Sequence, residues 1–151
     1  MSTTVNIGAC ACCSDQQCGT LLITYDWSGT GQNDLDTGTT FLGVKVGYSC
    51  GFSGPYISWG GDNTSVNATE RVEIRWLQAL IDNQWSGSVN VDLAAGWFIP
   101  AEGSGPCTVR VRCLEGGPEQ SKTIYPGEQS SCASENVGYI TIDDNGTFTL
   151  Y

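Results

Sequence analysis

From about Thr20 onward, apolar and polar residues alternate with the period of two that puts successive side chains on opposite faces of a β-strand. In Leu21-Leu22-Ile23-Thr24-Tyr25-Asp26-Trp27, the residues Leu21, Ile23, Tyr25 and Trp27 share one face. Leu42, Val44, Val46 and Tyr48 repeat the pattern between Gly43, Lys45 and Gly47. Tyr56-Ile57-Ser58-Trp59 reads as a short strand closed by Gly60-Gly61-Asp62-Asn63. Val89, Val91 and Leu93 alternate with Asn90 and Asp92, and Trp97-Phe98-Ile99 precedes Pro100. Thr108 to Arg112 is a further strand, with Lys122 to Tyr125 as its hairpin partner across Gly116-Gly117-Pro118. Val137 to Ile142 and Thr147 to Tyr151 flank Asp143-Asp144-Asn145-Gly146, and Asn-Gly between alternating segments predicts a hairpin.

Two stretches break the pattern. The polar run Ser28 to Thr40 reads as a loop. Arg71 to Ile81 is mixed: Val72, Ile74 and Trp76 have strand spacing, whereas Leu77, Leu80 and Ile81 have helical spacing, which predicts a strand running into a short helical turn. Eight or nine short strands separated by turns predict an all-β fold, an antiparallel β-sandwich or jelly roll. Residues 1–19 differ in composition, holding four cysteines and almost no large apolar residues. They predict an extended, cysteine-rich N-terminal arm ahead of a sandwich domain over residues 20–151.

Composition narrows the function. The 151 residues suit one domain with one core. Only 15% are charged and the net charge is −10, with six Lys and Arg. A nucleic-acid partner needs a basic surface to displace phosphate counterions, so none is expected. No apolar run approaches the roughly 20 residues that span a bilayer, so no membrane partner is expected either. The first ten residues lack a basic n-region and a long apolar stretch, so no cleaved signal peptide is expected. The chain has no histidine, which removes Ser-His and Cys-His nucleophile pairs, and no motif singles out a pair of carboxylates. We therefore expect no enzyme.

Cysteine chemistry is the strongest local signal. Cys10, Cys12, Cys13 and Cys18 cluster in the arm, and Cys50, Cys107, Cys113 and Cys132 are further disulfide candidates. Cys107 and Cys113 share one face of one strand about 20 Å apart, too far for the roughly 7 Å Cα separation a disulfide allows. Each must find another partner or stay a buried thiol. Adjacent Cys12 and Cys13 point to opposite sides of an extended chain, which suits cross-linking of Cys10, Cys12, Cys13 and Cys18 to a neighbouring subunit. The competing reading is zinc or an iron–sulfur cluster on the C-x2-C pair Cys10 and Cys13, with Cys18 as third ligand.

A second candidate site is acidic. Asn33-Asp34-Leu35-Asp36-Thr37-Gly38 spaces two carboxylates two residues apart, and Asp62 lies in another loop. Together Asp34, Asp36 and Asp62 can turn oxygens toward one hard cation such as calcium. The alternative is a solvated turn whose side chains bond their own backbone. Trp27, Trp59 and Trp97 read as packing residues, while exposed aromatics beside polar loops would suit carbohydrate.

Two resemblances follow from these residues. Tyr25-Asp26-Trp27 through Asn33-Asp34-Leu35-Asp36, then Tyr56 to Asp62, Glu70 to Ile74 and Gly87 to Leu93, resemble the bacterial pre-peptidase-like β-sandwich modules over about half the chain. That resemblance implies an extracellular binding or accessory domain, in some members a calcium-binding one. The connector Cys10-x-Cys12-Cys13-x4-Cys18 ahead of a jelly-roll domain is similar in kind to the subunits of bacterial endospore appendages, which implies disulfides between stacked subunits. The leading expectation is a structural assembly protein, a disulfide-cross-linked subunit of an extracellular filament or virion surface whose partners are copies of itself or other structural subunits. The alternative is a calcium-dependent carbohydrate- or surface-binding module. No other cofactor is expected.

Overall fold

The structure, a computed structural model, describes residues 18–31, 33–98, 105–128, 132–133 and 135–151. Ten strands and one helix follow in order: β1 Leu21–Asp26, β2 Leu35–Phe41, β3 Val44–Gly47, β4 Ile57–Trp59, β5 Thr69–Ile74, α1 Trp76–Asn83, β6 Ser88–Trp97, β7 Cys107–Cys113, β8 Gln120–Ile124, β9 Asn136–Asp143 and β10 Phe148–Leu150. They form two five-stranded sheets, ordered β4-β5-β1-β7-β8 and β10-β9-β6-β2-β3. Every pairing between these strands is antiparallel. The fold is the expected antiparallel β-sandwich, with ten strands where the pattern gave eight or nine.

The alternation in β1 does what its sequence implies. Leu21, Ile23 and Tyr25 are fully buried, and β1 sits at the centre of its sheet between β5 and β7. The opposing face is supplied by Leu35, Phe41, Val91, Leu93, Ile140 and Ile142 from the second sheet. Helix α1 covers one end of this core. Its first residue, Trp76, is fully buried and stacks on Trp85 at 5.3 Å, with Phe41 6.2 Å away. The mixed segment is thus resolved at Arg75, where strand β5 gives way to the helix. At the far edge the Gln120 side chain joins the sheets, donating to the Phe148 carbonyl and accepting from the Leu150 amide.

Two expectations need correction. The run read as a loop, Ser28 to Thr40, contains all but the last residue of β2, an inner strand flanked by β6 and β3. Leu42 is not in a strand. It forms a two-residue turn with Gly43, both at positive φ (52° and 78°), which matches the hairpin turn whose twist suits flanking strands. That turn usually carries Asn-Gly or Asp-Gly, so an apolar first residue hides it. The last hairpin follows its sequence signal: Asp143 Oδ1 accepts from the Asn145 and Thr147 amides, and Gly146 adopts φ 80°.

Two disulfides staple the sandwich. Cys18 joins Cys113 with Cα atoms 5.5 Å apart, tying the chain before β1 to the end of β7. Cys50 joins Cys132 at 5.0 Å, tying the loop after β3 to the segment before β9. Cys107 is a free, buried thiol, and burial pushes it up to about 12. As the strand geometry required, Cys107 and Cys113 do not pair. The two bridges fit an oxidising, extracellular setting. Among the described residues no helix is long and apolar enough to cross a membrane.

Candidate cation site

The site is built at the start of β2. Among its residues Leu35, Thr37, Thr39 and Phe41 share one side of the strand, and Asp36, Gly38 and Thr40 the other. The core-facing side is unusual. Thr37 and Thr39 occupy positions where apolar residues would be expected, and both are fully buried. Each has a polar partner from the opposite sheet. Tyr25 Oη and Thr39 Oγ1 lie 2.7 Å apart, and Thr37 Oγ1 donates to Glu70 Oε1 at 2.8 Å. Burial drives the Tyr25 phenol well above its ordinary value.

Glu70 is the centre of this buried polar layer. It pairs with Tyr25 across β5 and β1 and is 2% exposed. Besides Thr37, its Oε1 accepts from Trp59 Nε1 at 3.1 Å, and its Oε2 accepts from the Asn63 amide at 2.9 Å. Burial raises Glu70 to about 8 against these three donors, which pull it down; the charge of Asp62 also raises it.

Next to this layer the structure brings together the three acids singled out from sequence. Asp34, Asp36 and Asp62 each offer a carboxylate oxygen within 4.8 Å of the others. Asp34 is half-buried at φ 60°, a left-handed conformation that Asp tolerates better than most residues, and its carbonyl accepts from the Phe98 amide. Asp36 is 1% exposed, yet its Oδ2 has no hydrogen-bond partner. Asp62 is exposed, in the turn from β4 to β5, where Gly61 takes φ 108°. Burial, then the charges of Asp34 and Asp62, raise Asp36 to about 7. Burial and Asp62 raise Asp34 as well.

A buried carboxylate oxygen without a donor costs desolvation energy that nothing in the protein returns. Two further carboxylates close to it add repulsion. Oxygen-only donors from two loops and a strand suit a hard cation such as calcium, which takes carboxylates in flexible geometry. The solvated-turn alternative accounts for Asp62 but not for Asp36, which is out of reach of solvent.

The cysteine expectations divide. Cys10, Cys12 and Cys13 lie outside the described residues. Cys18 is consumed within the chain by Cys113, so it is neither a link to a neighbour nor the third ligand of a zinc or iron–sulfur site. Cys50, Cys113 and Cys132 are disulfide-bonded, and Cys107 is not. Trp27 and Trp97 are fully buried and Trp59 is 7% exposed, so none offers a stacking face to carbohydrate. The exposed aromatics include Tyr139 and Tyr151, which stack on each other at 5.0 Å.

Glu70 was missed from sequence, although a signal existed. Val72 and Ile74 set the core phase of β5, and one step back in that phase is Glu70. A carboxylate on the core side of a strand marks either a polar network or a site. No family model, curated protein or solved structure matches the chain.

Proposed function

We propose that the chain is an extracellular β-sandwich binding module whose Asp34, Asp36 and Asp62 hold a calcium ion. The observation that carries this reading is Asp36: a carboxylate 1% exposed, with one oxygen unpartnered, beside two further carboxylates. A divalent cation would supply the counter-charge and coordination that the protein withholds. The ion would fasten the loop before β2 to the turn between β4 and β5. Such a module would present its outer surface to a carbohydrate or a cell surface in a calcium-dependent way.

Calcium that binds only the folded chain raises its stability by about 2.7 kcal/mol at a hundredfold excess over Kd. Titration calorimetry on the metal-free chain, with melting curves in calcium and in chelator, tests this. Saturable heat and a raised Tm are expected. No heat and no shift at millimolar calcium overturns the reading.

The second reading is the assembly subunit, favoured by cysteine parity. With Cys18, Cys50, Cys113 and Cys132 paired, Cys10, Cys12 and Cys13 remain with the buried Cys107. Three is odd, so at least one of the arm cysteines has no partner among the three. A link to a neighbouring chain would satisfy it. Denaturing gels without reductant would then show oligomers that collapse to the 16.1 kDa monomer with reductant. Monomer in both lanes rejects the cross-linked subunit.

A further inference from the structure

Glu70 touches the residue that follows each of two acids in the cluster. Thr37 comes directly after Asp36, and its hydroxyl donates to Glu70 Oε1. Asn63 comes directly after Asp62, and its backbone amide donates to Glu70 Oε2. Thr37 is on β2 of one sheet, and Asn63 is in the turn leading to β5 of the other. One buried carboxylate therefore spans the two segments whose separation fixes the distance between Asp36 and Asp62. The second oxygen is not shared with the first: Oε1 serves Thr37 and Trp59, and Oε2 serves the Asn63 amide.

The connection between β4 and β5 is also tied farther along, where Val66 bridges Asn33 and Asn67 Oδ1 accepts from the Gly31 amide, while the turn at Asp62 is shaped locally. Asn63 Nδ2 donates to the Thr69 carbonyl, and Asn63 Oδ1 accepts from the Ser65 amide. The Gly60 amide donates to the Arg71 carbonyl. These bonds shape the turn and attach it to β5. Among these contacts Glu70 is the one that reaches a side chain within β2 itself, at Thr37.

We infer that Glu70 is the positioning residue of the cation site, holding Asp36 and Asp62 at ion-binding separation by clasping Thr37 and Asn63 without itself reaching the ion. This rests on the reading of the acidic cluster as a calcium site. Hydrogen-bonded partners behind metal ligands commonly govern affinity by tenfold to a hundredfold. Glu70 differs from a generic packing residue in one respect. All three groups facing it are donors, so the clasp uses both of its oxygens as acceptors, Oε1 twice and Oε2 once.

Glu70→Gln keeps the shape and removes that property. One end of the amide can still accept from Thr37 and Trp59, but the other then presents N–H₂ to the Asn63 amide, donor against donor. The turn carrying Asp62 is released with almost no change in side-chain volume. Calcium affinity is expected to fall at least tenfold, and the Tm rise caused by calcium to shrink. The Tm in chelator is expected to hold or rise. A residue that merely supports the fold would lower the chelator Tm and leave the calcium increment intact.

The test is calorimetric titration of the full chain with calcium alone, for wild type and Glu70→Gln, with melting curves in calcium and in chelator. Equal affinities overturn the positioning role and leave the cation site standing. A wild type that takes up no calcium removes the cation site itself, and the proposal with it. If Glu70→Gln fails to fold, Thr37→Val takes its place. It deletes one donor on the β2 side at nearly constant volume. A severalfold loss of calcium affinity supports the clasp, and unchanged affinity overturns it.

Discussion

Strands β1 and β2 are both inner strands, β1 at the centre of its sheet and β2 next to the edge strand of the other, and both are almost wholly buried. They are buried for different reasons. β1 carries Leu21, Ile23 and Tyr25 into the core, and its burial follows from the transfer of apolar surface out of water. β2 carries Thr37, Thr39 and Asp36 to the same depth. Its buried polar groups are tolerable only because the opposite sheet answers two of them, through Tyr25 and Glu70. The third, Asp36, on the other face of the strand, keeps one carboxylate oxygen, Oδ2, without a partner. A strand whose interior is polar spends stability on an arrangement, and the arrangement it holds is the acidic cluster.

The largest expected effect tests the first half of this contrast. Ile23→Ala removes a fully buried side chain from β1 and should destabilise the chain by about 2–5 kcal/mol in urea unfolding. The matching change on β2, Thr39→Val, keeps the volume and breaks only the bond to Tyr25. It should cost about 1–2 kcal/mol, because the Tyr25 hydroxyl is then buried without a partner. Equal losses at the two sites would show that β2 is held by apolar packing after all.

A smaller effect of opposite sign is expected at Asp36. Replacing it with Asn keeps the shape and deletes a buried charge that has two acidic neighbours. In chelator, Asp36→Asn should stabilise the chain by about 1–3 kcal/mol, and in calcium it should lose the increment that wild type gains. A variant less stable than wild type in chelator would mean that Asp36 has a donor holding it, which would sink the contrast.

The difference between these strands also decided what could be read from sequence. The strands with apolar alternation were legible: β1, β7 and β9 lie where the pattern put them, and the β7–β8 and β9–β10 hairpins pair as expected. β2 was not, because Asp-Thr-Gly-Thr-Thr has the composition of a turn. Its strand character comes from its backbone ladders to β3 and β6, and its buried threonines are answered by Tyr25 and Glu70 from the opposite sheet. The three acids were legible because Asp34 and Asp36 stand two residues apart and Asp62 follows a glycine pair in a turn. Their support was not, since a hydrogen bond from Asn63 to Glu70 has no signature beyond the phase of β5. Cys18 looked like part of the arm because it follows three other cysteines. Its partner, Cys113, was fixed by β1 lying beside β7, which only the sheet order reveals.

The smallest expected effect is a slope with pH. Asp36 is raised from 3.8 to about 7, and Glu70 from 4.5 to about 8, in both cases chiefly by burial. Between the ordinary and the raised values, the folded chain holds protons that the unfolded chain has released. The unfolded state then binds fewer protons, so stability falls as pH rises through this window. Without calcium the Tm should therefore drop by several degrees between pH 5 and pH 8. Calcium competes with the protons for the same oxygens, so its stabilising increment should grow over the same interval. The net charge of −10 also favours lower pH through general repulsion. Asp36→Asn separates the two causes: it leaves nine-tenths of that charge and removes one of the two buried acids. A shallower slope in the variant assigns the effect to the strand β2 site. An identical slope assigns it to the surface and removes the energetic distinction between β1 and β2.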